Sequence, residues 1–210
     1  MIPGPTIFRA CSDCAKAIRQ NTVASGNTFG ATHWTDGKCE APMFPDSPWL
    51  IKCPACQALL WIDELEELGQ ASILDAEYFA FDGVCCEIPS QAEYLSFLET
   101  GTHTPTKEQY LRLRAWWAGN DARREGACIG LSAAERTNLL ALAAMLDGAE
   151  PYDLLMKAEI MRELGRFDEA LELLAGCPDG ILARRVTAIR ELAEKQDAWV
   201  RQLEPVPPFG

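Results

Sequence analysis

Residues 9–16, "RACSDCAK", and residues 50–58, "LIKCPACQA", each carry two cysteines separated by two residues, and 38 residues lie between Cys14 and Cys53. A two-residue spacer lets both sulfurs of a turn face one point while backbone N–H groups face the sulfurs. Two such turns therefore supply four thiolates to a single tetrahedral ion, and the long gap becomes a loop that the metal closes. Cys11, Cys14, Cys53 and Cys56 are the expected ligands. Pro54 presets the second turn, and the "ALLWID" that follows it reads as a strand.

The pair of turns resembles the paired knuckles of zinc ribbons, which implies a structural Zn2+ and a small β module around it. Ala15 and Gln57 stand where such knuckles often carry glycine. A thioredoxin-like redox pair needs a long helix after its Cys-x-x-Cys and a βαβ setting, and a strand follows here instead. Four cysteines suit an iron–sulfur cluster as well as zinc, so the residues leave zinc or iron open, as they do a contribution from Cys39 or His33. His33 reads as a partly exposed strand residue. Cys39, Cys85, Cys86, Cys128 and Cys177 follow no ligand spacing and are expected as buried small apolar groups.

Between the turns, "ASGN" and "TDGK" read as tight turns and "TFGATHW" as a strand, giving a hairpin or a small three-stranded sheet held by the metal. Trp34, Phe44, Trp49 and Trp61 are expected to form the core of so small a unit.

At 210 residues and 48% hydrophobic content, the chain can bury a substantial core. No run of 18 apolar residues and no basic-then-apolar leader is visible, so neither a membrane span nor a signal peptide is expected. Nine cysteines without a disulfide pattern suit a reducing, cytoplasmic compartment. The net charge is −12, and residues 63–106 hold ten acidic side chains and no basic one. Nucleic-acid affinity comes mainly from Lys and Arg on phosphates, so this balance argues against DNA or RNA as partner.

Helical signals dominate after residue 62. Ser90 with Glu93 and Ser132 with Glu135 have capping-box spacing, and Thr106 with Gln109 repeats it. Gly165 divides "PYDLLMKAEIMRELGRFDEALELLAGCP" into two helices, and residues 181–203 read as one long amphipathic helix. The stretch "AEIMRELGRFDEALELL" resembles the middle of a tetratricopeptide repeat, with Ala158 and Ala170 at the packing positions and "LGRF" as the turn; the likeness covers about one repeat. The expected fold class is thus α+β. It comprises a zinc-ribbon-like β module (1–62), an acidic connecting region with a short helix (63–105), and an all-α, tetratricopeptide-like domain (106–210). The chain as a whole resembles a group of uncharacterised bacterial proteins in which "SGNTFGA", a Trp-x-Asp-Gly, a "KCPxC" turn and "YLRLRAWWAGND" occur in that order. That likeness implies architecture and no activity.

Two histidines, and no HExxH, GxSxG or Walker-type loop, leave few routes to catalysis. Glu64, Glu66 and Glu67 read as a solvated charged face. The chain therefore reads as a non-catalytic interaction or adaptor protein with a structural zinc site and a protein partner, the alternative being a metal- or thiol-dependent enzyme. In the helix after Thr106, Tyr110, Leu113 and Trp117 fall on one stripe, which makes Trp117 a core residue and leaves Trp116 either as a rim anchor for the partner or packed inside with it against the next helix.

Overall fold

The computed structural model describes residues 1–72, 75, 83–178, 180 and 182–204. The chain divides into two compact units, Met1–Ala31 with Glu40–Pro89 and Thr32–Cys39 with Ser90–Gly210. Small β-sheets in the N-terminal part and, among the described residues, six helices after them give the expected α+β class. The division itself differs from 1–62, 63–105 and 106–210. A strand at Glu67–Ala71 pairs within the first unit, the helix at Gln91–Glu99 packs in the second, and an eight-residue excursion from between the two cysteine turns joins the helices.

In chain order the strands are β1 (Ile2–Pro3), β2 (Thr6–Ala10), β3 (Ala17–Gln20), β4 (Val23–Ser25), β5 (Thr32–His33), β6 (Cys39–Glu40), β7 (Leu50–Lys52), β8 (Leu59–Trp61), β9 (Glu67–Ala71) and β10 (Val84–Cys85). Each Cys-x-x-Cys is the turn of a hairpin. β2 and β3 flank the first, pairing Ile7 with Gln20 and Ala10 with Ala17; β7 and β8 flank the second, pairing Leu50 with Trp61. β9 extends β2 antiparallel and β10 lies parallel to β3, so the larger sheet runs β10-β3-β2-β9. The segment after β10 reaches the other hairpin, where Lys52 and Glu87 exchange backbone hydrogen bonds of 2.9 and 3.0 Å.

The core of this unit is aliphatic and thiol-rich. Ile18, Ile51, Leu60 and Leu65 pack around Cys11 and Cys53, with Phe8 and Leu50 also fully buried. Of the four aromatics expected there, only Trp61 is buried; Phe44 and Trp49 are half exposed, and Trp34 belongs to the second unit. The metal turns draw short aliphatic strands over themselves, which leaves the wide loop carrying Phe44 and Trp49 on the surface.

The helices are α1 (Gln91–Glu99), α2 (Pro105–Arg124), α3 (Ala133–Met145), α4 (Pro151–Glu163), α5 (Phe167–Ala175) and α6 (Ala183–Glu194). Both Ser-x-x-Glu capping boxes form, at Ser90 and Ser132, each contributing about 1 kcal/mol to helix stability. For α2 the cap lies upstream of the expected Thr106. The Thr104 hydroxyl accepts from the Lys107 N–H at 3.3 Å, because Pro105 suits the first helical position and lacks the N–H that a cap would satisfy.

α4 and α5 form the hairpin of the repeat-like stretch, with Ala158 and Ala170 fully buried. α4 ends in a Schellman turn: Gly165 at φ +78° donates to Arg162 O, and Arg166 donates to Met161 O. α6 ends in the same way at Gln196, φ +55°, with Asp197 N–H donating to Leu192 O. This left-handed glutamine stops α6 nine residues short of the expected end at Leu203, and the expected start at residue 181 lies outside the described residues. Among the described residues no helix is long and apolar enough to cross a membrane.

Candidate metal centre

The two hairpin turns repeat one hydrogen-bond pattern. Cys11 N–H donates to Lys16 O and Ala15 N–H to Cys11 O, both at 2.9 Å; Cys53 N–H donates to Ala58 O at 2.9 Å and Gln57 N–H to Cys53 O at 2.8 Å. Closing the turn this way requires left-handed backbone at the residue after the second cysteine. Ala15 adopts φ +58° and Gln57 φ +63°, so the glycine geometry is kept without glycine. The Gln57 side chain braces its own turn by donating to Pro54 O at 3.2 Å.

The four sulfurs of Cys11, Cys14, Cys53 and Cys56 all lie within 4.8 Å of one another. They pair crosswise, Cys11 with Cys56 at 3.7 Å and Cys14 with Cys53 at 3.8 Å. A tetrahedron with metal–sulfur bonds of about 2.3 Å has sulfur–sulfur edges of about 3.8 Å. Two of the six edges have that length, and the four cysteines are close enough together to hold a metal ion.

Electrostatics favour a cation at the centre. Burial pushes the Cys11 thiol up, more than the N–H groups of Cys14 and Asp13 pull it down. At Cys53 burial acts in the same sense, but the N–H groups of Cys56 and Ala55 and the neighbouring thiols outweigh it and lower the thiol. Cys56 is lowered by the Ala58 N–H, yet burial and the other three thiols push it up to about 12. Four thiols around one point cannot all ionise against each other; a divalent ion between them removes that conflict.

Cys39 and His33 are both exposed and lie in the other unit, and among the described residues the cluster comprises the four cysteines alone. The remaining cysteines correct the expectation of burial: Cys39, Cys85 and Cys128 are exposed, Cys86 and Cys177 partly so. Cys86 packs against the aliphatic cluster around Ile18 and Ile51, and Cys177 against that around Leu155 and Leu174, while Cys39, Cys85 and Cys128 sit on short strands or loops at the surface. Glu64, Glu66 and Glu67 are exposed, as a solvated face should be.

The expected rim anchor is overturned. Trp116 is buried, 3% exposed, and its Nε1 donates to Glu163 Oε2 at 2.9 Å; Trp117 is the half-exposed indole, donating to Asp36 O at 3.0 Å. The inward face of α2 is Leu111, Ala115, Trp116 and Asn120, flanked by Arg112 bonding Asn138 and by Arg123 paired with Glu135. A face that is buried but half polar escapes an apolar-stripe reading.

The second unit also contains a group of buried ionic residues that composition did not reveal: Asp36, Arg124, Glu159, Arg162 and Glu163. The signal available was the charged triplet Glu159, Arg162, Glu163 at i, i+3, i+4, interleaved with Ala158, Ile160 and Met161 in the second half of α4.

Fold and site define an α+β chain in which four cysteines stand ready for one metal ion. No protein-family model matches the chain, and comparison with curated proteins and with solved structures yields no match.

Proposed function

We infer that the protein is a non-catalytic interaction or adaptor protein whose N-terminal unit is ordered by a structural Zn2+. The observation that carries this reading is the crosswise 3.7 and 3.8 Å sulfur spacing, in which the protein supplies all four corners of a tetrahedron. A closed four-sulfur site has no position for a substrate or an activated water, whereas catalytic zinc keeps one open. The 3.7 and 3.8 Å sulfur spacing suits a single tetrahedral ion rather than a multi-iron cluster, and zinc, which has no redox chemistry, is the ion a purely structural role calls for. The adaptor role rests on the helical hairpin α4–α5 and its flanking helices, the kind of surface that repeat proteins use to bind other proteins.

The test is Co2+ substitution of the purified protein. A closed site gives intense tetrahedral, thiolate-rich absorption that excess azide or cyanide leaves unchanged, and chelation of the native metal unfolds the first unit. A spectrum that shifts on adding the anion would establish an open position and favour the metal-dependent enzyme instead.

A further inference from the structure

The excursion Thr32–Cys39 is held by the helices through its two central residues. Thr35 and Asp36 are completely buried. The Thr35 hydroxyl accepts from Arg162 Nη2 at 3.4 Å and from the Arg201 N–H at 3.1 Å, while Thr35 N–H donates to Arg201 O at 2.9 Å. Asp36 is ion-paired with Arg124 and accepts from Asn120 Nδ2 at 3.0 Å.

Counting the sealed charges exposes an imbalance. Asp36, Glu159 and Glu163 are three buried carboxyl groups, at 0%, 0% and 4% exposure, and Arg162 and Arg124 are the two guanidinium groups sealed with them. Arg162 is taken by Glu159 at 2.6 and 2.8 Å, and Arg124 by Asp36. Glu163 is left with neutral donors, the Trp116 indole at 2.9 Å and Asn120 Nδ2 at 3.1 and 3.2 Å. That same Asn120 nitrogen serves Asp36, so two carboxyl groups converge on one amide. An ionised carboxylate without a cation of its own in such a place is strongly disfavoured against the neutral acid.

We propose that Glu163 is the neutral acid at neutral pH and acts as a proton-operated latch on the Thr32–Cys39 segment. While protonated it lets Asp36 stay packed between α2 and α4; once ionised it repels Asp36 and Glu159, and the segment leaves.

The groups facing Glu163 set the direction of its titration. Burial raises it first, Glu159 on α4 and Asp36 on the segment add to this, and Arg162 and the Trp116 indole oppose them, leaving Glu163 at about 8. Arg124 on α2 is committed to Asp36, which burial itself raises. Glu135 on α3 is paired with Arg123 at 2.8 Å, and Asp197 in the tail with Arg201 at 2.8 Å, while Arg185 on α6 donates to Thr35 O at 3.5 Å and lies over the Tyr152 ring. A glutamate titrating near 8 when latched and near 4.5 when released binds more protons in the latched state between those values. The latch therefore weakens as pH rises through that window and levels off above it.

NMR on the full-length protein between pH 6 and 9 tests this. The Trp116 indole N–H resonance should titrate with a midpoint near 8. Hydrogen-exchange protection of the Thr35 amide, corrected for intrinsic rates, should fall on the order of 100-fold from pH 6 to 9, while core amides of α6 keep theirs. In Glu163→Gln both changes should disappear. A Trp116 resonance that does not move in the wild-type protein overturns the proposal without reliance on the variant; equal loss of Thr35 protection in Glu163→Gln overturns it by assigning the titration to another group.

Discussion

The indole Nε1 of Trp116 lies 2.9 Å from Glu163 Oε2, a bond between residues 47 apart that is buried at both ends. It turns the more polar-looking of two adjacent tryptophans into a core residue with a defined partner. Trp116→Ala should therefore destabilise the protein by about 3–5 kcal/mol, as for a large buried aromatic, and Trp117→Ala by less than half of that. Trp116→Phe, which keeps most of the apolar area but leaves Glu163 without its indole donor, should cost about 1–3 kcal/mol. Urea denaturation of the three variants checks the order; equal losses for the two alanine variants would contradict it.

Single replacement of Cys11, Cys14, Cys53 or Cys56 by Ser should release the bound metal and unfold the first unit, since three ligands no longer offset the entropy of ordering the loop between the turns. Cys85→Ser and Cys177→Ser should retain full metal content, as neither residue belongs to the sulfur cluster. Metal analysis after gel filtration distinguishes the two sets.

At the knuckles, Ala15 and Gln57 carry positive φ that costs a side-chain-bearing residue about 1–2 kcal/mol. Ala15→Gly should then stabilise the metal-loaded protein by up to about 1 kcal/mol, after the larger entropy lost by glycine is taken into account. Gln57→Gly should gain less, because it removes the brace from the Gln57 side chain to Pro54 O. Thermal unfolding of the two variants at saturating Zn2+ measures the difference.

A fragment comprising residues 90–210 keeps the six described helices but lacks Thr35 and Asp36, leaving Arg124 with the exposed Asp121 and without its buried partner Asp36. Breaking a buried pair from one side costs about 3–5 kcal/mol, a large part of the 5–15 kcal/mol that holds a typical domain together. The fragment should therefore unfold at markedly lower urea than the full chain, with a broad transition by circular dichroism. A transition as sharp and as late as that of the intact protein would mean that the excursion adds nothing to the helices.

Features governed by interactions within about five residues were legible in the sequence: the Cys-x-x-Cys turns, the Ser90 and Ser132 capping boxes, and the break at Gly165. Each depends on hydrogen bonds that a short stretch makes with itself. The pairing of the two turns into one four-sulfur cluster was also legible, because ligand type and spacing leave thiols few other ways to meet an ion. What the sequence alone left undecided depends on distant partners. The end of α6 is an exception, a local turn that escaped notice because Gln196 rather than glycine takes the left-handed conformation. Trp116 rather than Trp117 turns inward because α2 buries a polar face against Glu163 and Asn138. Thr32–Cys39 leaves the cysteine-rich region for the helices because Arg162 reaches Thr35 across 127 residues of chain. Burial of a charge depends on whether a counter-charge arrives beside it, and only the tertiary structure brings Asp36, Arg124, Glu159, Arg162 and Glu163 to one place.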